Sequence, residues 1–362
     1  MNYLITGGSG FIGSALIRFL VKNKSNKILN VDKLTYASTN DTVFKISKNV
    51  NYNFVKADIC HKEPILKLIF NFKPNIIMHL AAESHVDRSI DNPMEFVNTN
   101  ILGTSILLEC FKEYWFKNLR KNKNDFFCFH HISTDEVFGS LGKKKKFKED
   151  SHYDPSSPYS ASKASADHLV KAWHKTYKLP TIITNCSNNY GPFQFPEKFI
   201  PTLILNAIEG KKLPIYGNGK QVRDWLYVDD HVSALHKVVT KGIIGETYNI
   251  GANCEFKNIE VANIICEILD NIIPNSKKPN NLEGRSFKSL ITFVEDRPGH
   301  DKRYAIDSSK IKKKLGWKHR VNFKDGIKKT VYWYLNNKNW CNIVQKKVKE
   351  RGRLGIIKIK KD

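Results

Sequence analysis

The sequence predicts an α/β protein with a doubly wound parallel sheet and a smaller C-terminal α/β region. In the first 190 residues, short apolar strands alternate with segments of helical periodicity. This alternation is typical of a parallel sheet whose two faces are covered by helices. A glycine-rich turn also separates the first strand from the first helix. The predicted strands are 3–6, 28–31, 52–56, 76–80, 126–132 and 181–186, and the predicted helices are 12–22, 93–115 and 157–177.

Beyond residue 190 the elements become shorter, and proline and glycine interrupt them more often. Asp229 and Asp230 are interpreted as the N-cap of a helix. The predicted helices are 198–209, 229–241, 258–269, 308–315 and 324–335, with strands at 213–216 and 247–250 and a loop at 274–287. The expected division is a first domain of residues 1–190, to which 228–250 returns, a second region of 191–340, and a basic tail of 341–362 whose end frays.

Charge and composition exclude several classes of protein. The 362-residue chain has a formal net charge of +24, but its basic residues are scattered apart from a run at 143–146 and the tail. A codon bias toward A and T would also enrich lysine, so we predict no nucleic-acid partner. We find no secretory signal and no apolar run that could span a membrane, and therefore expect a cytoplasmic protein with no membrane partner. The seven cysteines form no CxxC pair, and no metal site is predicted.

The glycine-rich turn has the spacing of a Rossmann-type dinucleotide-binding site. Gly7, Gly10 and Gly13 follow the pattern G-x-x-G-x-x-G between the first strand and the first helix. Glycines there allow a tight turn and let backbone N–H groups approach a pyrophosphate at the helix N-terminus. Asp32 ends the second strand about 20 residues later, where a carboxylate accepts hydrogen bonds from ribose hydroxyls and repels a 2′-phosphate. The sequence therefore predicts NAD rather than NADP, with Lys33 offsetting that repulsion only in part.

Further residues at strand ends extend this predicted cofactor site. Asp58-Ile59 follows the third strand, where an acid is able to hydrogen-bond the adenine. Leu80-Ala81-Ala82 follows the fourth strand, and its small side chains allow the backbone to approach a flat cofactor. Because the carboxyl ends of parallel strands meet at one edge of the sheet, we expect these positions to join the glycine turn.

A second group of residues has side chains suited to proton transfer. Tyr159 and Lys163 are four apart on a predicted helix and so share one face. The lysine cation is expected to favour the phenolate, although lowering a tyrosine pKa from about 10 to about 7 requires roughly 4 kcal/mol. The positive nicotinamide of NAD is expected to contribute the rest. Thr134-Asp135-Glu136 follows the fifth strand, and two adjacent carboxyl groups favour one protonated and one ionised form.

With these motifs the sequence resembles the extended short-chain dehydrogenase/reductase family, which has both the glycine pattern and Y-x-x-x-K at these positions. Within that family it is most similar to the nucleotide-sugar 4,6-dehydratases. The Asp135-Glu136 pair is the most specific feature, because related epimerases generally have a non-acidic pair there. The resembling segments are 32–37, 81–89, 133–139, 185–192, 223–228 and 296–301, and the resemblance extends from residue 1 to about residue 335.

The resemblance implies that the substrate is dTDP-glucose and that it is dehydrated in three stages, for deoxysugar (surface polysaccharide) biosynthesis. Tyr159 would remove the C4 hydroxyl proton while a hydride passes to NAD, with Thr134 hydrogen-bonded to that oxygen. Glu136 would then take the C5 proton while a protonated Asp135 donates to the departing C6 hydroxyl. Return of the hydride to C6 would give a 4-keto-6-deoxy sugar. A 4-epimerase or a decarboxylase on the same fold is the alternative, and its product would differ.

The resemblance also implies a homodimer, formed through the long helices near 92–115 and 157–177, and a set of binding residues. Phe193-Gln194 and Phe199 depart from the family's usual Tyr-His and Leu, which leaves the detailed substrate contacts open. The implied cofactor residues are Gly7, Gly10, Phe11, Ile12, Gly13, Asp32, Lys33, Leu34, Thr35, Asp58, Ile59, Leu80, Ala81, Ala82, Ser84, Thr99, Tyr159, Lys163 and Asn189. The implied substrate residues are Ser84, Thr134, Asn188, Lys198, Phe199, Pro214, Ile215, Tyr216, Arg223, Asn258, Arg297, Pro298, Gly299, His300 and Asp301.

Overall fold

The computed structural model describes residues 1–349 apart from 39–41, 44, 45, 47, 120–125 and 143. Residue 143 of the lysine run and residues 350–362 of the predicted basic tail therefore lie outside the described residues. Among the helices that are described, none combines the length and the apolar content needed to cross a bilayer.

A seven-stranded parallel sheet forms the larger part of the molecule and confirms the predicted fold class. Its spatial order is β3-β2-β1-β4-β5-β6-β10. The chain winds from β1 out to β3 and then returns to the other side of β1, so the topological switch point lies between β1 and β4. Ligands of such sheets bind outside the carboxyl ends of the strands at that point. The strands are β1 (Asn2–Thr6), β2 (Lys27–Asp32), β3 (Tyr52–Lys56), β4 (Ile76–His79), β5 (Cys128–Thr134), β6 (Thr181–Cys186) and β10 (Thr247–Ile250).

Helices cover both faces of this sheet, as an all-parallel sheet requires. On one face, Leu16 of α1 (Phe11–Leu20) and Leu235 of α8 (Val228–Lys241) belong to one buried apolar cluster. On the other, Ile65 of α2 (Lys62–Phe72), Phe111 of α5 (Gly103–Leu119) and Val170 of α6 (Pro158–Tyr177) belong to a second. The two clusters bury the apolar side chains of the strands between them.

The long helix predicted at 93–115 is divided into three parts. A short α4 (Pro93–Phe96) leads into a π-helix (Val97–Leu102), which continues as α5. Asn92 precedes Pro93 at the N-cap position but makes no side-chain cap hydrogen bond. The π-helix buries Thr99 and Asn100. Such segments are frequent at functional sites and leave no signature in residue periodicity. Another short helix, α3 (Val86–Asp91), precedes α4.

The smaller region contains two further sheets and its own core. One sheet has the order β11-β9-β7, and β12 pairs with β8 in the other. Leu203, Ile215, Val261 and Ile265 belong to the core of this region. Cys341 and Val344 are also buried in it, so the chain remains packed after residue 340. The elements are β7 (Asn188–Tyr190), α7 (Phe199–Ile208), β8 (Leu213–Tyr216), β9 (Val222–Tyr227), β11 (Glu255–Lys257), α9 (Asn258–Ile272), β12 (Ile291–Val294), α10 (Ser309–Leu315), α11 (Phe323–Asn336) and α12 (Lys338–Lys349).

The interpretation of Asp229 and Asp230 as a helix N-cap is wrong. Helix α8 begins one residue earlier, with Tyr227 at the N-cap, and no side chain caps it. Asp230 is buried, and its Oδ2 accepts hydrogen bonds from the backbone N–H groups of Arg320 and Val321, at 3.0 and 2.9 Å. The carboxylate therefore fastens the segment before α11 to α8.

Candidate active site

The glycine turn between β1 and α1 packs tightly against the chain that follows β4. Gly7 has a φ of +71°, and a Cβ there would lie 2.6 Å from the backbone nitrogen of Ala81. A Cβ on Gly13 would lie 2.2 Å from the carbonyl oxygen of Gly7. Side chains at these two positions would fill the turn, so the glycines leave a backbone cradle at the N-terminus of α1. A pyrophosphate fits such a cradle.

Asp32 lies at the other end of this cradle and is held by three donors. Its Oδ2 accepts from Ser9 N at 3.0 Å, and its Oδ1 accepts from Leu34 N at 2.8 Å and from Ser38 Oγ at 3.1 Å. Burial raises the pKa of this carboxyl group, and the hydrogen bonds oppose that rise. Because each carboxylate oxygen accepts more than one hydrogen bond, Asp32 retains capacity for the hydroxyls of a ribose.

The ammonium group of Lys33 lies among acidic and polar side chains other than Asp32. Its Nζ lies 3.9 Å from Asp58 and 3.8 Å from Glu83, and it donates to Thr99 Oγ1 at 3.2 Å. The ammonium charge is therefore already opposed by two carboxylates, which makes it a poor partner for a 2′-phosphate. This arrangement fits NAD better than NADP.

The structure brings nearly all the predicted cofactor residues to one cavity at the carboxyl ends of the strands. Leu34 is the exception in that set: it adopts a φ of +56° and its N–H binds Asp32, but it does not line the cavity. The cavity-lining residues from the predicted cofactor set are Gly7, Gly10, Phe11, Ile12, Gly13, Asp32, Lys33, Thr35, Asp58, Ile59, Leu80, Ala81, Ala82, Ser84, Thr99, Tyr159, Lys163 and Asn189.

The five predicted proton-transfer residues line the same cavity. Thr134 is the last residue of β5, and its Oγ1 accepts a hydrogen bond from Glu136 N at 3.2 Å, which begins a 3₁₀ turn. The start of α6 is fixed by a capping box between Ser157 and Ser160, with Pro158 at its first turn. These local interactions place Tyr159 in the first turn of α6, beside the 3₁₀ turn that contains both acids.

Asp135 is almost completely buried, and its Oδ2 has no hydrogen-bond partner among the described residues. Burial raises the pKa of this carboxyl group well above its usual value, and the charges of Glu136 and Asp224 raise it further. Arg223 opposes the shift only in part. Burial and the two neighbouring carboxylates therefore favour the protonated form of Asp135, which has a proton to donate.

The neighbouring Glu136 has a different electrostatic environment. Burial raises the pKa of its carboxyl group, and Arg297, Arg223 and Lys198 oppose this rise without cancelling it. Three cations thus favour the ionised form of Glu136, whereas its neighbour faces two carboxylates. Two residues adjacent in the sequence are in this way suited to opposite roles, one as an acid and the other as a base.

Lys163 alone does not bring the pKa of Tyr159 below its usual value in this structure. Burial raises the pKa of Tyr159 well above its usual value, the charge of Glu136 raises it further, and a hydrogen bond with Thr134 lowers it. Lys163, one turn beyond Tyr159 on α6, donates to the carbonyl oxygen of Ile132 at 2.9 Å. In the protein alone Tyr159 is therefore a protonated phenol, and a bound cationic nicotinamide would supply the missing positive charge.

The predicted substrate residues divide into two groups. Ser84, Asn188 and Lys198 line the cavity together with Thr134, and Lys198 Nζ donates to the carbonyl oxygen of Ser84 at 2.7 Å. The remaining residues do not line it, and their roles stay predictions: Phe199, Pro214, Ile215, Tyr216, Arg223, Asn258, Arg297, Pro298, Gly299, His300 and Asp301.

Several members of this second group form a polar cluster beside the acids. Asp87 accepts from Arg297 Nη1 and from the hydroxyl of Tyr216, both at 3.0 Å. Arg223 donates to the carbonyl oxygen of Asp301 at 3.0 Å. Both arginines act on the charge of Glu136, so this cluster adjoins the catalytic end of the cavity.

Four other predicted substrate residues already have contacts within the protein. Ile215 is fully buried in the core of the smaller region, in the strand that pairs with β12. The ring of Phe199 stacks on Trp225, and the backbone N–H of Asn258 donates to the carbonyl oxygen of Gln221 at 3.0 Å. His300 Nδ1 lies 2.6 Å from the carboxylate of Asp296.

Sequence reasoning did not single out several residues that line the cavity. Glu83 is within the resembling segment 81–89, and Glu197 directly precedes Lys198, so both had a positional signal. Ser187 is within the resembling segment 185–192, Gln194 was noted only as a departure from the family's usual residue, and Phe195 had no signal. The cavity-lining residues that were not predicted include Glu83, Ser187, Gln194, Phe195 and Glu197.

Comparisons with known proteins agree with this geometry. A family model described as GDP-mannose 4,6 dehydratase matches residues 4–330. A dTDP-glucose 4,6-dehydratase of Escherichia coli is 55% identical, covering 99% of this chain and 100% of its own length. The structure of a dTDP-glucose 4,6-dehydratase from Bacillus anthracis in complex with NAD has a TM-score of 0.83 at 42% identity, over 95% of this chain and 99% of the other. One from Streptomyces venezuelae with NAD and TYD bound has a TM-score of 0.85 at 37% identity, over 95% and 100%.

Proposed function

The chain belongs to the extended short-chain dehydrogenase/reductase family, in the group of the GDP-mannose 4,6 dehydratase model, and it is an NAD-dependent hydro-lyase; we propose that it converts dTDP-glucose to dTDP-4-keto-6-deoxyglucose. The observation that supports this reaction most directly is the unequal pair of adjacent acids. A dehydration needs a proton acceptor at C5 and a proton donor at C6 within reach of one sugar ring. Glu136, whose ionised form three cations favour, and Asp135, whose protonated form burial favours, provide these two groups.

Each step then has a residue of the cavity in a defined role. The glycine turn and Asp32 would hold NAD, which would supply the hydride acceptor for C4 and the hydride donor for C6. Tyr159 removes the proton of the C4 hydroxyl, whose oxygen is hydrogen-bonded by Thr134. The ketone formed at C4 acidifies the C5–H bond, and Glu136 takes that proton and gives it back to C5 when the hydride adds at C6. Asp135 donates its proton to the C6 hydroxyl, which leaves as water.

The decisive experiment is to incubate the purified protein and NAD with dTDP-glucose and to follow the alkali-induced absorbance of a 4-keto sugar. The expected result is loss of one water per substrate, identified by mass spectrometry, with no net reduction of NAD. A C4 diastereomer of unchanged mass would identify an epimerase instead, and loss of carbon dioxide from a uronic acid would identify a decarboxylase. UDP-glucose as a parallel substrate measures the preference for the thymine base.

We extend the proposal to the homodimer that the resemblance implies. The helix formed by α4, the π-helix and α5 exposes the apolar side chains of Met94, Val97, Leu102 and Phe116. An exposed apolar surface of this kind is typical of a protein interface. Light scattering after size exclusion should give twice the chain mass of 41.7 kDa, and Leu102→Asp should shift it toward the monomer. A monomer at all concentrations would contradict this part of the proposal.

The remaining parts of the proposal concern the setting of the enzyme. All seven cysteines lie in the described part of the chain and none is in a disulfide, which agrees with a reducing cytoplasm. No group of metal-ligating side chains occurs among the residues the structure describes. A 4-keto-6-deoxy product requires reductases or aminotransferases to make a finished deoxysugar for a surface polysaccharide. No nucleic-acid partner is proposed, so binding to DNA should be weak and non-specific despite the positive charge.

A further inference from the structure

Helix α6 has a third buried polar residue on the face that bears Tyr159 and Lys163. Asp167 is four residues beyond Lys163 and is completely buried. Residues four apart on a helix are neighbours on one face, so the phenol, the ammonium and the carboxylate form a row. A buried carboxylate requires compensation by hydrogen bonds and opposite charge, because desolvation alone is costly.

The carboxylate of Asp167 connects α6 to the end of β5. Its Oδ2 accepts from Ser133 Oγ at 2.9 Å, and its Oδ1 lies 3.1 Å from His131 Nε2. The side-chain amide of Asn185 donates both to Asp167 Oδ2 at 3.2 Å and to the carbonyl oxygen of Thr134 at 3.0 Å. Asp167 is therefore linked, directly or through one amide, to three of the last four residues of β5, immediately before the two acids.

The same carboxylate is an anion close to the buried lysine. Burial lowers the pKa of Lys163, and the charge of Asp167 raises it. His131, which faces both residues, has its pKa lowered to about 4 by burial and is neutral at neutral pH. The thiol of Cys186, which faces Lys163 from β6, has its pKa raised to about 12 and is also neutral. Asp167 is thus the negative charge that opposes the buried ammonium at neutral pH.

Other groups that face this row do not replace Asp167. The hydroxyl of Tyr153 donates to Asp167 Oδ2 at 2.9 Å, and Lys171 lies near the carboxylate from its own helix. His79 contacts His131 and is neutral, because burial lowers its pKa well below the usual value. Asp135 and Glu136 face Tyr159, and both raise its pKa rather than stabilise the phenolate.

We propose that Asp167 is a positioning residue for the first proton transfer: it keeps the Lys163 ammonium charged beside Tyr159 and fastens the catalytic end of β5 to α6. This inference rests on the proposed function, since it assigns Tyr159 as the base that removes the C4 hydroxyl proton. A cation beside the phenol stabilises the phenolate, so loss of that cation would leave a weaker acid at Tyr159.

The test is the pH profile of kcat/KM for the Asp167→Asn holoenzyme, measured with dTDP-glucose deuterated at C4 so that hydride transfer limits the rate. The profile of kcat/KM reports the free enzyme's groups. Activity requires the deprotonated phenol and therefore rises with pH. With the ammonium lost, the acid limb should move to higher pH by roughly one unit. The matched control is Tyr153→Phe, which removes a neutral hydrogen bond to the same oxygen and should leave the limb in place.

An unchanged acid limb, or a shift to lower pH, would overturn the proposal, because either result means that Lys163 stays charged without Asp167. Asp167→Glu retains the charge and should keep the wild-type limb even if kcat falls, and a displaced limb in this variant would also contradict the proposal. This second variant decides the question if Asp167→Asn does not fold. Failure of the wild-type enzyme to make any 4-keto sugar would instead refute the proposed function.

Discussion

The cofactor end and the sugar-nucleotide end of this molecule are built in different ways. The residues around the glycine turn come from successive strand ends of one sheet, and the structure places them together at its carboxyl edge. The predicted residues of 214–216, 223, 258 and 297–301 come from three separate elements of the smaller region and an irregular segment. They meet the larger region through side-chain contacts such as the ion pair between Arg297 and Asp87 of α3.

This difference shows which parts of a site local sequence determines. A parallel sheet fixes the relative positions of its strand ends through backbone hydrogen bonds, so a residue at a strand end is placed by topology alone. In the smaller region, the position of a site residue depends on long side chains that pair with groups of the larger region. Changes at strand ends should therefore affect chemistry or cofactor binding strongly, and changes at the boundary should affect substrate affinity more weakly.

The largest effect is expected for Tyr159→Phe. Removing the phenolic oxygen leaves no base for the C4 hydroxyl proton, so the first oxidation should slow by roughly 10⁴-fold. Stopped-flow measurement at 340 nm should show no NADH formation within one wild-type turnover. The control is Tyr177→Phe at the other end of α6. This ring is exposed, so the variant should form NADH at the wild-type rate. Normal NADH formation in Tyr159→Phe would mean that another group is the base.

A somewhat smaller and qualitatively different effect is expected for Glu136→Gln. The amide cannot accept the C5 proton, so elimination should slow by roughly 10³-fold while the first oxidation proceeds and NADH accumulates. Because burial raises the pKa of Glu136, wild-type elimination should lose rate as the pH falls through a range above that of an ordinary carboxyl group. Loss of NADH formation in this variant would contradict the separation of roles between Tyr159 and Glu136.

Gly13→Ala tests the cofactor end without touching a reacting group. The added Cβ would lie 2.2 Å from the carbonyl oxygen of Gly7, so the turn must open and lose its fit to a pyrophosphate. We expect NAD affinity, measured by calorimetry, to fall by at least about tenfold, or 1.4 kcal/mol. The matched control is Gly142→Ala, where no atom lies within 4 Å of the added Cβ. Equal NAD affinities in the two variants would contradict the role of the glycine turn in binding the pyrophosphate.

Much of the fold can be predicted from the local sequence pattern, but some elements cannot. The bounds of β3, β6, β8 and β10 agree with the prediction, because each is a short apolar or β-branched run between turn residues. β9, by contrast, contains Arg223, Asp224 and Trp225, and its charged side chains are buried by pairing with groups from distant segments. No period along the chain indicates such a strand. The π-helix is likewise set by its packing, not by its composition.

The site shows the same limit. The glycine turn, Asp32 and the paired acids each belong to a short motif whose chemistry is evident from spacing. Asp87, in contrast, is an ordinary acid near the start of a short helix until the structure shows Arg297 and Tyr216 on its two oxygens. Its partners are 210 and 129 residues away. Only the tertiary fold brings such residues together.

Of the four variants, Asp87→Asn should therefore have the smallest effect. We expect it to change substrate binding and not the chemical steps. The amide retains one acceptor but loses the charge that holds the Arg297 guanidinium, which is suited to a phosphate. Loss of one partly buried ionic hydrogen bond, at about 1 kcal/mol, predicts a KM for dTDP-glucose about fivefold higher with kcat unchanged. The matched control is Glu267→Gln, which breaks the exposed ion pair with Lys288 and should change neither constant. A lower kcat with an unchanged KM would mean that Asp87 affects a chemical step and not substrate binding. The proposed difference between the cofactor end and the sugar-nucleotide end would then be wrong.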